Sequence, residues 1–149
     1  MKSDIPINSS KIASFINEAE KSTSGEIRVH IDPFCKNNIM DRAAEVFAML
    51  NMHRTKLRNG VLFYIAWENR KFAIIGDVGI NAKVDDKYWE REKDVLVKHF
   101  KNGDFEDGLK EAISLVGQTL KQYFPYHPDL SGELPNDISF GEEDEEDEE

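Results

Sequence analysis

Residues 60–77, GVLFYIAWENRKFAIIGD, constrain the fold more than any other stretch of the chain. The run GVLFYIAW is apolar throughout and rich in β-branched and aromatic residues, which predicts a strand buried on both faces. Only the polar residues ENR separate it from a second apolar run, KFAIIGD. So short a connection permits only an antiparallel hairpin.

The flanking sequence supplies elements to pack around that hairpin. In NSSKIASFINEAEKSTSG, Ile12, Phe15, Ile16 and Ala19 recur at helical spacing, Asn8 or Ser9 can cap the start and Gly25 lies past the end. This predicts a helix over residues 9–22. EIRVHID then alternates Ile27, Val29 and Ile31 with polar neighbours, the period of a strand, and Pro33 stops it. DRAAEVFAMLNM places Ala43, Val46, Phe47 and Leu50 on one helical face. The strands before and after that helix should therefore be parallel, joined by a right-handed crossover. Two further helices follow, one carrying Trp89, Val95, Leu96 and Phe100, the other Phe105, Leu109, Ile113, Val116, Leu120 and Phe124. The order of elements predicts a compact α/β protein, a three-layer-like sandwich. Its small mixed sheet has a parallel pair plus an antiparallel hairpin strand, flanked by about four helices. Residues 1–128 are expected to form a single domain and 129–149 an irregular to disordered acidic tail.

Charge and composition exclude several function classes. The net charge is −10, but the last eight residues, EEDEEDEE, are all acidic. Without them 21 acids face 19 Lys and Arg, a body charge of −2. A nearly neutral body with an acidic tail has no basic stripe for a phosphate backbone, so no nucleic-acid partner is expected. A single cysteine excludes an internal disulfide framework and a cysteine-based zinc site. The longest apolar run, VLFYIAW, is far shorter than the roughly 20 residues of a membrane-spanning helix. MKSDIPINSS lacks the apolar core of a signal peptide. These features lead us to expect a cytoplasmic monomer without a membrane span.

Chemistry has few places to reside. The turn after KFAIIGD has neither the Gly-x-Gly-x-x-Gly of dinucleotide-binding folds nor the Lys-Ser/Thr of a P-loop. His30, His53, His99 and His127 share no ligand spacing, and Cys35 has no adjacent base in sequence. Asp104 and Asp107 have the spacing of a helix-capping pair, and Asp85 can cap the helix that starts near Asp86. Strand polarity sorts the remaining acids. Hairpin return brings Asp77 to the end where the second strand begins, and parallel pairing brings Glu26 there too. Glu26, Asn59, Asp77, Asp85 and Asp86 thus converge on one rim, with Lys56 and Arg58 nearby, while Asp32, Glu68 and Asp104 collect on the opposite one. A rim of carboxylate and carbonyl oxygens is either a solvated acidic edge or a divalent cation site, and oxygen ligands suit calcium first, with magnesium the alternative.

Taken together, SGEIRVHI, RNGVLFYIAWENRKFAIIGDVGIN, VDD opening a helix and FKNGDFEDGL resemble the TPM domain, over roughly residues 10–124. The matching positions are Glu26, Asn59, Gly60, Arg70, Gly79, Asp86, Gly103 and Asp104. Asp77 departs from the Gly-Tyr-Gly of many members. The resemblance implies a compact α/β sandwich. Many members also carry a signal peptide, a membrane helix and a Gly-rich tail, and reading none of these here leads us to expect a stand-alone, soluble member of bacterial type. The resemblance implies an accessory or binding module that holds calcium at the acidic rim and acts through an unknown protein partner. The alternative it carries is a weak metal-dependent, acid-phosphatase-like hydrolase.

Overall fold

In a computed structural model that describes residues 7–130 and 138–141, the hairpin occupies one side of a four-stranded sheet. Strand β2 (Gly60–Ala66) and strand β3 (Lys71–Gly76) run antiparallel, with Val61 opposite Gly76 and Ala66 opposite Lys71. Strand β1 (Glu26–Asp32) lies on the other side of β2 and is parallel to it, in register from Glu26 beside Gly60 to Asp32 beside Ala66. The expected crossover helix joins them as α2 (Ile39–Met49), followed by one 3-10 turn at Met52–Arg54.

A fourth strand extends the expected sheet. Strand β4 (Ser139–Phe140) pairs parallel with the free edge of β1, Ser139 beside His30 and Phe140 beside Ile31, giving the order β3-β2-β1-β4. The region 129–149, read from sequence as irregular, thus contributes a strand. Two residues are too few to show a period. The acidic run 142–149 lies outside the described residues, as do 1–6 and 131–137.

Helix α1 (Ser9–Glu20) starts where Asn8 accepts the Lys11 amide at 3.1 Å. It stops short of residue 22 because Thr23 bridges to Pro125 and the Ser24 amide bonds to Phe124 O at 2.9 Å. One turn, α3 (Val78–Asn81), follows β3, and α4 (Asp86–Lys101) and α5 (Phe105–Tyr123) complete the set.

Burial explains the layering. Ile27, Val29 and Ile31 of β1 with Val61, Phe63 and Ile65 of β2 pack against Ile12 and Ile16 of α1, Leu96 of α4 and Leu109, Ile113, Val116 and Leu120 of α5. On the opposite face Leu62, Tyr64, Ala66 and Ala73 meet Ala43, Val46 and Phe47 of α2. All seven residues of β1 and all seven of β2 are buried, so the polar side chains Arg28, His30 and Asp32 go under as well. Among the described residues no helix is long and apolar enough to cross a membrane.

Candidate functional site

The parallel register brings three of the five rim residues to one end of the sheet. Glu26 opens β1 beside Gly60, its amide meets Asn59 O at 3.4 Å, and the Asp77 amide bonds to Gly60 O at 2.9 Å. Asp77 is buried and fully engaged. Arg58 grips both its oxygens, Nε to Oδ2 at 2.7 Å and Nη2 to Oδ1 at 2.9 Å, while Oδ1 also accepts the Val78 amide at 2.7 Å as the cap of α3. The grip is set by backbone. Arg58 sits at φ +53°, a left-handed conformation that side chains rarely adopt. The Gly79 amide bonds to Arg58 O at 2.7 Å, and a Cβ on Gly79 would overlap the carbonyl oxygens of Leu57 and Arg58. Only glycine allows α3 to lie this close to the loop before β2.

Asp85 and Asp86 stand at the start of α4. Asp85 Oδ1 caps the helix by accepting the Tyr88 amide at 3.0 Å, and Asp86 is exposed in the first turn. Asn81 links this helix to the rim, its Nδ2 donating to Gly76 O and its Oδ1 accepting Trp89 Nε1, both at 2.8 Å. Among the described residues, no three His, Cys, Asp or Glu side chains form a group that can hold a metal ion as it stands.

Two further features at this end escape sequence reading. Asn59 is buried, its Nδ2 lies 3.5 Å from Ser24 Oγ, and its Oδ1 has no hydrogen-bond partner. Glu20, at the last turn of α1, accepts the Ile27 amide at 2.7 Å. Burial, and then the Glu26 carboxylate, push Glu20 up to about 8. A carboxyl raised this far is largely protonated at pH 7. The sequence cue was an acid in the last turn of α1, where the helix dipole disfavours negative charge.

The opposite end holds a second polar group, centred on Asp32 at the carboxyl end of β1. Asp32 accepts from His30 Nε2 at 2.9 Å, Arg42 Nε at 2.9 Å and Tyr64 Oη at 2.5 Å. Burial alone would raise its carboxyl, but the bonds from His30, Arg42 and Tyr64 overcome that and hold it at about 2. Burial and the Asp32 charge keep Tyr64 a phenol well above its usual range. The His30 ring stacks over Tyr64, and its Nδ1 lies 2.7 Å from Ser139 Oγ on β4. Serine, histidine and aspartate in line are the order of a nucleophile, its base and the base's orienter. Here the serine hydroxyl is held inside the ladder between β4 and β1. Of these residues only Asp32 had been placed on a rim from sequence. Cys35 is buried, with its Sγ 3.3 Å from Asn37 O.

Helix capping divides the other acids. Asp104 precedes α5 but makes no side-chain capping bond, so the expected Asp104–Asp107 cap is absent at Asp104. The opposite-rim grouping holds for the backbone around Asp32 and Glu68, whose amide bonds to Pro33 O at 2.8 Å.

Comparison with known proteins agrees with this architecture. The chain is similar to the BA42 protein of the psychrophilic bacterium Bizionia argentinensis, with 42% identity and a TM-score of 0.84 over 93% of this chain and 97% of that one. It shares its fold with the N-terminal domain of a protein from P. gingivalis, at 18% identity and a TM-score of 0.66 over 83% of this chain and 85% of that one. No curated protein matches. A family model described as the TPM domain matches residues 6–119, most of the chain, and the protein belongs to the TPM domain family.

Proposed function

We propose that this TPM domain is a non-catalytic binding module that takes a divalent cation, calcium before magnesium, at the sheet end that holds Glu26, Asn59 and Asp77, with Asp85 and Asp86 at the start of α4 moving in to complete the set. The observation that carries the reading is Asn59 Oδ1, a side-chain acceptor buried at that rim with no donor. An unmet buried acceptor costs about 1–3 kcal/mol, and a cation is one group that would satisfy it. The other donors at this end are oxygens, the set that calcium prefers over softer metals. Asp77 joins the set only by giving up Arg58. Cation binding would therefore free a guanidinium and loosen α3 from the loop before β2.

The hydrolase alternative is the weaker reading. Phosphoryl transfer needs positive charge around the transferred group, and Arg58 at this end is committed to Asp77.

Calcium titration tests the proposal. At a hundredfold excess over the dissociation constant the folded state should gain about 2.7 kcal/mol, read as a rise in Tm. Amides of residues 77–87 should move more than those around Asp32. Asp77→Asn combined with Asp86→Asn should abolish the rise, and Asp107→Asn should leave it intact. A Tm and amide spectrum unmoved by saturating calcium would overturn the cation site.

A further inference from the structure

The outer edge of β1 reads its short partner residue by residue. Ile138 and Phe140 pack against the core that β1 shares with α1 and α5. Ser139 places its hydroxyl 2.7 Å from His30 Nδ1, while the Gly141 amide bonds to Ile31 O at 2.8 Å. A Cβ on Gly141 would overlap the Asp32 carboxylate, so that position admits only glycine. The four residues alternate as a strand should, two apolar side chains to one face and the hydroxyl and the glycine to the other.

The hydroxyl requirement comes from the polar network. Asp32 stays ionised and accepts, so His30 Nε2 carries the proton on that side. His30 Nδ1 is left facing residue 139, where a Ser or Thr hydroxyl can meet it as donor or as acceptor and an alanine would leave it without that partner. Arg42 and Tyr64 fix Asp32, Asp32 fixes His30, and His30 selects residue 139.

This set of contacts has the form of a peptide groove more than of an integral strand. β4 pairs with two of the seven residues of β1, and it follows α5 only after residues 124–138. Central strands β1 and β2, by contrast, pair over their full length. We infer that the outer edge of β1 is a strand-docking site for an extended partner peptide that presents an apolar residue, Ser or Thr, an aromatic residue and glycine in succession, and that Ile138–Gly141 is its occupant in cis. Backbone pairing supplies affinity and the alternate side chains supply selectivity, as in other additions of a peptide to a sheet edge. A tethered occupant competes at high effective concentration, so the partner binds when the cis segment is released. The site lies at the opposite end of β1 from the cation rim and does not depend on it.

The test uses the full chain and a labelled peptide, NDISFGEE, which copies residues 136–143. Gly141→Val should eject β4 through the clash with Asp32, leave the β1–β2 amide signals in place and bind the peptide at least tenfold more tightly than the unaltered chain does. Peptides with alanine in place of the serine, or valine in place of the glycine, should lose that binding. Hydrogen exchange on the unaltered chain gives an independent measure. The Gly141 amide should exchange at least a hundredfold faster than the amides between β1 and β2. Equal exchange rates, unfolding of Gly141→Val, or peptide variants that bind alike would each make β4 an integral strand and overturn the inference. A dimer of the unaltered chain that grows with concentration would give the site to a second copy and overturn the partner peptide.

Discussion

Glu92 shows how much a single side chain can set the response of this fold to pH. It is buried between α4 and α5, lining a cleft of about 330 Å³ with Tyr88, Arg91 and Thr119, and its Oε1 has no hydrogen-bond partner. Burial raises its carboxyl from 4.5 to about 8. The folded chain therefore holds a proton that the unfolded chain releases between those values. Its stabilising contribution is complete below about 4.5 and is lost as pH rises through 8. Glu20 shifts to about 8 for a similar reason and adds to the same slope. Asp32 works in the opposite sense, since its carboxyl is held at about 2 and its contribution disappears only as pH falls through that value. Between pH 5 and 9 the two glutamates should dominate. Glu92→Gln keeps the shape and removes the charge. Urea unfolding should find the variant more stable than the unaltered chain by roughly 1–3 kcal/mol at pH 9, and within about 0.5 kcal/mol of it at pH 4.5. A gain that is the same at both values would mean that packing, not ionisation, separates the two chains.

At the scale of the element, the two interhelical acids make a sharp contrast. Asp85 accepts the Tyr88 amide and closes the first turn of α4, whereas Asp104 stands before α5 without any side-chain bond to it. Asp85→Ala should cost about 1 kcal/mol, the usual loss for a capping side chain, and Asp104→Ala less than about 0.5 kcal/mol. Equal costs in thermal unfolding would show that charge near the helix dipole, and not the capping bond, carries the effect. Both residues had looked like caps in sequence, because spacing reports position and not backbone angle. Asp85 has extended backbone at φ −105° and ψ −179°, while Asp104 has ψ 64°, outside the extended region favoured at an N-cap. The same limit explains what else was legible. The hairpin, the parallel pair and the helices follow from periods of two and 3.6, which long apolar patterns display. β4 has no period to display, and the polar group of His30, Asp32, Arg42, Tyr64 and Ser139 is drawn from four separate elements. Its only trace in sequence is alternate polar residues in β1, which read equally as a wet face. Rim convergence of Glu26, Asn59 and Asp77 was legible because strand polarity dictates it; that Arg58 would claim both oxygens of Asp77 was not, since a left-handed arginine leaves no mark in composition.

For the molecule as a whole, one sheet serves two cores. The α1, α4 and α5 side is built on alternate residues of β1 and β2, and the α2 side on the intervening residues of β2 with Ala73 of β3, so both cores share the backbone of β2. Losing either layer would expose one face of strands that are buried on both sides along their full length. Local opening of one layer is therefore nearly as costly as global unfolding, and the two layers should unfold in a single transition. Val29 and Leu62 test this from opposite faces, each fully buried, the first in the α1 and α5 core and the second in the α2 core. Leu62→Ala should cost about 2–5 kcal/mol, and Val29→Ala somewhat less because a smaller apolar volume is removed. Each should lower the urea midpoint and leave the slope unchanged. Probes on opposite faces, the Tyr64 ring and the Trp67 ring, should report one midpoint in either variant. Midpoints that separate in Leu62→Ala would show that the α2 layer melts alone, and the sheet would then support two cooperative units in place of one.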